Sequence, residues 1–225
     1  MITTDQSYSS LSTEIITIYV GHEKELYNVH AGILSQYPSL EMEVYSNAEF
    51  LNSFHLADCQ PDVFGALLNW IYRKNLTAIS TTDKKEAIRQ ARLYSYLYLY
   101  VEELDMQDLQ NYIMDIFRAR TTCPLEWFPT DVIGDIYDYT ASDSQLRKYI
   151  VDVFVSRSCS WASGTAGSGG RIGMLMRDQS EAGNHQFVAE CYGALAGMAQ
   201  KSKSKNPNRK AKCLYHVHVN GKKCK

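Results

Sequence analysis

No run of eighteen apolar residues occurs in this 225-residue chain, so no membrane-spanning helix and no membrane partner are expected. Nor does the opening MITTDQSYSSLSTE show the basic-then-apolar order of a secretory leader. The six cysteines (59, 123, 159, 191, 213 and 224) lack the spacing of a disulfide scaffold. Reduced thiols and a cytoplasmic and/or nuclear location are the expectation. There is no Gly-x-Ser-x-Gly element, and no histidine is framed beside a cysteine as in a nucleophilic pair. Scattered cysteines of this kind read as small buried apolar residues. The glycine-rich GTAGSGGRIG lacks the Gly-Lys-Ser/Thr of a phosphate loop, and no β-branched run feeds it, so it reads as a linker. No internal repeat is visible.

What is present is enough apolar residue, 45%, to build a core without staples. Charge is unevenly placed. Nine of the 23 Lys/Arg stand in residues 201–225 with no acid among them, which leaves 14 bases against all 25 acids in the first 200 residues. An acidic body of −11 with a +9 tail suggests separate work for the tail: contact with nucleic acid, with an acidic partner or with an import receptor, or else a solvated end. Sixteen tyrosines are many for this length. Tyrosine offers rigid contact area with a polar tip and is enriched at interfaces.

Along the chain, EIITIYVG and HEKELYNVH read as two strands of a hairpin, with Tyr27 and Val29 on the face opposite Leu26 and Asn28. AGILSQYPSLEMEVYS reads as a short helix interrupted near Pro38, and FHLADC as a third strand. PDVFGALLNWIYRKN opens with Pro61 and Asp62, residues suited to a first helical turn, and repeats Val63, Phe64, Leu67, Leu68 and Ile71 at helical spacing. In LYSYLYLY, tyrosines at 94, 96, 98 and 100 alternate as in a strand. Helix-forming flanks and a capping Asp83 nevertheless favour one buried helix. QDLQNYIMDIFRAR, PLEWFPTDVIGDIYDYT, SDSQLRKYIVDVFVSR and QFVAECYGALAGMAQ give four more helices. Part of the tyrosine-rich helix, or of QDLQNYIMDIFRAR, is expected to lie under a partner.

The quoted strands and helices carry a resemblance. Val20-Gly21, then Val29-His30 and Leu34, then Asp58, Pro61, Phe64 and Trp70-Ile71-Tyr72, resemble the BTB/POZ domain in its fungal form. The resemblance covers about residues 12–120, and GDIYDYTASDSQLRKYIVDVF is similar to the helical segment that follows the domain in many fungal members. It implies an α+β fold, a small β-sheet flanked by a cluster of α-helices, with an α-helical C-terminal extension. The expected layout is a flexible 1–13, a BTB/POZ domain over 14–120, a helical extension over 121–160, a Gly/Ser-rich linker over 161–180, a helix over 181–200 and a basic Cys/His tail over 201–225. The family implies contact and no enzyme activity: self-association, including a homodimer, or an adaptor that joins a cullin-type ubiquitin ligase to a substrate. In the family His30 is a structural histidine.

One stretch keeps its own chemistry. CLYHVHVNGKKC sets Cys213, His216, His218 and Cys224 in a C-x2-H-x-H-x5-C frame. Were YHVHV extended, both imidazoles would project from one side, and Asn220-Gly221 would turn Cys224 back toward Cys213. Those four ligands could close a tetrahedral zinc site, the one cofactor the sequence suggests. Otherwise the segment adds a hairpin strand or is disordered. The segment resembles the tail of some fungal BTB proteins.

Overall fold

β-Branched residues at every second place build the first strand. Ile16, Ile18 and Val20 of β1 (Ile15–Val20) are buried, while Ile15, Thr17 and Tyr19 take the other face. The computed structural model describes residues 14–50, 53–119, 127–161, 169–199 and 212–218. β2 (Glu25–His30) runs antiparallel to β1, with Ile16 opposite Val29 and Ile18 opposite Tyr27. Gly21 leaves β1 at φ +72, and a Cβ there would meet the Pro61 ring at 3.1 Å, so both backbone and space call for glycine. β4 (Ser53–Leu56) lies parallel to β1, with Phe54 opposite Ile18, and β3 (Ala48–Phe50) pairs antiparallel with β4. The sheet order is β2-β1-β4-β3. Strand FHLADC thus starts one residue early and stops at Leu56, and β3, only three residues long, was not expected.

Two short helices cross between the hairpin and β3. α1 (Ala31–Leu34) and α2 (Pro38–Ser46) bury Leu34, Leu40 and Val44, broken where Pro38 starts the second. α3 (Pro61–Arg73) has proline in its first turn and buries Val63, Phe64, Leu67, Trp70 and Ile71. It closes at Lys74, which is left-handed at φ 51. The Lys74 ammonium stands 4.0 Å from the Trp70 ring centroid, a cation–π contact.

LYSYLYLY is helical, in α4 (Lys84–Glu103). Asp83 Oδ1 caps it, accepting from the backbone N–H of Lys85 (2.8 Å) and Glu86 (3.1 Å). VEELDM contains no glycine, yet the helix ends there. Asp105 adopts φ 53, and Met106 N–H donates back to Val101 O at 3.0 Å. Aspartate tolerates that left-handed turn better than most residues. α5 (Gln107–Ala119) follows at once and buries Leu109, Ile113, Met114 and Phe117, while Ile116 is half-buried.

The chain divides into two compact units. One comprises the residues up to Thr77 together with Tyr100–Met106; the other takes Ala78–Leu99 and the chain from Gln107 on. The first holds the sheet and α1–α3. The second is helical: a 3-10 turn (Thr130–Val132), α6 (Ile133–Tyr139), α7 (Gln145–Trp161), α8 (Gly169–Glu181) and α9 (His185–Ala199). Aromatic rings fill its core. Phe117 meets Trp127, Phe128 and Tyr149, and Phe154 joins Phe128 to Phe187. Within the expected linker over 161–180, residues 169–180 instead belong to α8, while 162–168 lie outside the described residues. Gly169 and Gly170 begin a helix that Met174, Leu175 and Met176 continue, and Met176 is buried. Mixed α+β architecture is therefore observed. No helix among the described residues is long and apolar enough to cross a membrane.

Candidate interaction surface

The strand alternation that fills the core also decides what the sheet presents outward. Opposite one another on the outer face stand Ile15 and His30, Thr17 and Asn28, and Tyr19 and Leu26. Ile15 is 55% exposed and Leu26 53%, large values for apolar side chains in a paired hairpin. Between them Thr17 Oγ1 donates to Asn28 Oδ1 at 3.3 Å. Among the described strands β2 and β3 lie at the two edges of the sheet, and an edge is a template for further pairing. In the same unit, Met42 (68% exposed) and Tyr45 (43%) share one face of α2, three residues apart. Tyr72 is also exposed. Its hydroxyl accepts the His30 backbone N–H at 3.1 Å and lies 2.9 Å from His30 Nδ1. His30 is thus a hydrogen-bonded histidine, with a tyrosine hydroxyl as its ring partner.

The tyrosines of α4 are used inside the chain. Tyr94 and Tyr98 are buried. Tyr96 donates to Asp135 Oδ2 at 2.6 Å, and its hydroxyl is pushed up to about 12 by burial, with Asp135 adding to the shift. Tyr100 donates to Glu43 Oε1 at 3.0 Å. None of the four is among the exposed large apolar residues, which lie on β1, β2, α2 and elsewhere.

Two thiols can be placed chemically. Cys59 and Cys191 are buried, and burial lifts both to about 12. At neutral pH each is therefore a thiol, not the nucleophilic thiolate. Cys123 lies outside the described residues, as does the N-terminal stretch expected to be loose.

Beside Cys59, burial raises the Glu43 carboxyl above its ordinary 4.5, the Tyr100 hydrogen bond opposes that rise and Glu103 adds to it. A raised carboxyl binds its proton more tightly in the folded state. The associated stability is complete below about pH 4.5 and is lost as pH climbs through the raised value. Glu43→Gln keeps an acceptor for Tyr100 and removes this dependence. Its melting temperature relative to wild type should rise from pH 4.5 to pH 8, by no more than about 1 kcal/mol in stability because the group is partly solvated. A relative fall over that range in thermal melts would contradict the assignment.

The structure seats most of the described C-terminal segment in the helical unit. Lys212–Tyr215 is a 3-10 turn, which replaces the extended start expected for YHVHV. Tyr215 is fully buried, its hydroxyl donating to Asp152 Oδ2 at 2.7 Å. Its ring stands edge-on to Tyr149, centroids 5.3 Å apart. Burial and Asp152 drive the Tyr215 hydroxyl far above its ordinary value, so it stays a donor. His216 is buried, with Nε2 hydrogen-bonded to Asp115 Oδ1 at 3.0 Å. His218 Nε2 donates to the Cys213 carbonyl at 3.2 Å. The His216 and His218 rings lie 6.4 Å apart. Of the four candidate zinc ligands, then, Cys213, His216 and His218 fall close in space and both imidazoles have protein partners. Cys224 and the Asn220-Gly221 turn lie outside the described residues. Among the described residues no group of three or more His, Cys, Asp or Glu is gathered for a metal ion.

No family model, no curated protein and no solved structure matches this chain.

Sequence reading missed the acceptors of this segment, Asn111, Asp115 and Asp152. Signals were present. Asn111 and Asp115 are four apart on α5 and so share a helix face, and Asp152 interrupts the apolar YIVDVF of α7.

Proposed function

We propose that this chain is a protein–protein interaction module of the BTB/POZ kind, working by self-association or as an adaptor. What supports the reading is one arrangement in the sheet unit. A hairpin leads through two short helices to a strand parallel with β1 and on to α3, the element order that the Val20-Gly21, Val29-His30 and Asp58-to-Tyr72 motifs resemble. That arrangement leaves Ile15 and Leu26 on an outer sheet face beside an edge strand. Apolar side chains on a sheet face and a strand that is at the sheet edge among the described residues are what strand-mediated association uses.

Size-exclusion chromatography with light scattering tests it. The full chain should run as a dimer or larger at micromolar concentration, and Ile15→Glu with Leu26→Glu should return it to monomer. A clean wild-type monomer would remove self-association. Copurification of a cullin-type partner through helices within 61–120 measures the adaptor form.

A second reading rests on charge. Five Lys/Arg between 201 and 210, with no acid, suit a phosphate backbone, and assembly would multiply the tail's affinity. In that reading the protein is a nuclear regulator whose tail contacts nucleic acid. Binding to DNA or RNA should weaken steeply with salt, and replacing those five residues with glutamine should abolish it.

A further inference from the structure

Residues 213–218 are held as a bound peptide is held. The Asn111 side chain meets both backbone groups of Val217: Nδ2 donates to the carbonyl at 3.1 Å, and Oδ1 accepts the N–H at 2.7 Å. A side-chain amide that satisfies one residue's donor and acceptor together imitates a strand rung. Two residues earlier, Tyr215 is the anchor. It is fully buried against Tyr149, which itself stacks on Phe117 at 6.1 Å and 11°. Its hydroxyl finds a carboxylate at the bottom, Asp152. A buried tyrosine with a satisfied hydroxyl is the residue type on which binding energy concentrates. His216 adds a third polar contact, to Asp115. These receiving groups stand on α5 and α7, and each of these contacts is non-covalent.

We infer that the α5–α7 surface is a docking site for a Tyr-His-Val peptide, filled in cis by residues 213–218 and open in trans to the same segment of a second copy. Charge selects that occupant. At the seat itself Arg118, 3.6 Å from Asp115, and Lys148 offset the two carboxylates, so the attraction is between wholes: the segment belongs to the +9 tail and its seat to the −11 body, and the tail of one copy is drawn to the body of another. Exchange changes no contact, because an identical segment makes identical bonds. Thirteen residues, 200–212, separate α9 from the segment in sequence. Covalent attachment makes docking in cis intramolecular, so a free peptide competes at a disadvantage. The seat lies wholly in the helical unit, so the inference does not rest on the BTB/POZ reading.

The test uses the full chain and a fluorescent synthetic peptide of residues 209–221. Wild type should bind it at least tenfold more weakly than full-length Tyr215→Ala, whose own segment has lost its anchor while the seat is intact. Val217→Pro, which removes the N–H given to Asn111, should free the seat in the same way. Adding Asn111→Leu to Tyr215→Ala should weaken peptide binding at least tenfold. Full-length Asn111→Leu, with a crippled seat and a spare segment, should displace the peptide from Tyr215→Ala, and the Asn111→Leu/Tyr215→Ala double variant should not. The inference is overturned if folded Tyr215→Ala and Val217→Pro both fail to bind, or if displacement does not need Tyr215 in the competitor. Loss of the fold in both, by circular dichroism, also overturns it, since a docked ligand leaves without unfolding its receptor.

Discussion

Arg147→Ala is expected to lower the stability of the helical unit by about 2–4 kcal/mol, the cost of leaving several buried acceptors unpaired. Arg147 is buried, and its guanidinium closes the end of a neighbouring helix. Nε donates to Thr140 Oγ1 at 2.7 Å, and the fork reaches the carbonyls of Tyr137 and Thr140. Thr140 is the residue at which α6 stops, so a cation here also faces the negative end of that helix. The guanidinium lies 4.5 Å from the Tyr137 ring centroid, and Tyr137 in turn donates to Glu190 on α9 at 2.6 Å. Three elements therefore loosen together. Arg147→Lys restores charge without the planar fork and should recover less than half of the loss. Urea unfolding followed by circular dichroism measures both, and equal stability of Ala and wild type would refute the capping role.

In the sheet unit the largest effect is expected from Phe64→Ala, about 3–5 kcal/mol as for other buried aromatic truncations. Phe64 is fully buried on α3, and the Tyr27 ring meets it edge-on at 5.2 Å. Tyr27 is itself fixed by its hydroxyl, whose single O–H is shared between Pro61 O and Glu25 Oε1, each at 2.9 Å. Removing the phenyl ring leaves a cavity where α3 meets the hairpin and frees the tyrosine that ties β2 to the start of α3. Phe64→Leu should cost about 1.5 kcal/mol or less, since most of the volume is kept. The unfolding midpoint followed by fluorescence in a Trp127→Phe/Trp161→Phe background, where Trp70 alone emits, reports on this unit, and a Phe64→Ala loss under about 1 kcal/mol in that background would contradict the packing described.

Where periodicity and caps agreed, the sequence was readable. Alternation in EIITIYV set the inward face of β1, Pro61 marked the start of α3, and Asp83 with its helix-forming followers outweighed the strand-like rhythm of LYSYLYLY. Short or locally disfavoured elements were not readable. β3 has three residues, too few for any period. α8 opens on glycines whose propensity opposes a helix, and only its packing through residues such as Met176 explains it. Asp105 ends α4 without a glycine. The Cys/His segment was noticed for its ligands, whereas its deepest residue is Tyr215. The partners that bury Tyr215 and His216, Asp115 and Asp152, lie sixty to about a hundred residues earlier, a distance no local pattern spans.

The strand-bearing unit is interrupted in sequence. Its final piece, Tyr100–Met106, arrives only after Ala78–Leu99 have been given to the other unit. Terminal truncation is therefore a poor tool for mapping which half binds what. A fragment stopped at Thr77 takes from Glu43 the hydroxyl of Tyr100 and strips away Val101 and Leu104, both buried. A fragment begun at Ala78 drags those apolar side chains along with nowhere to hide them, and would stick to bait and resin alike. Point replacements in the intact polypeptide are the cleaner way to dissect it.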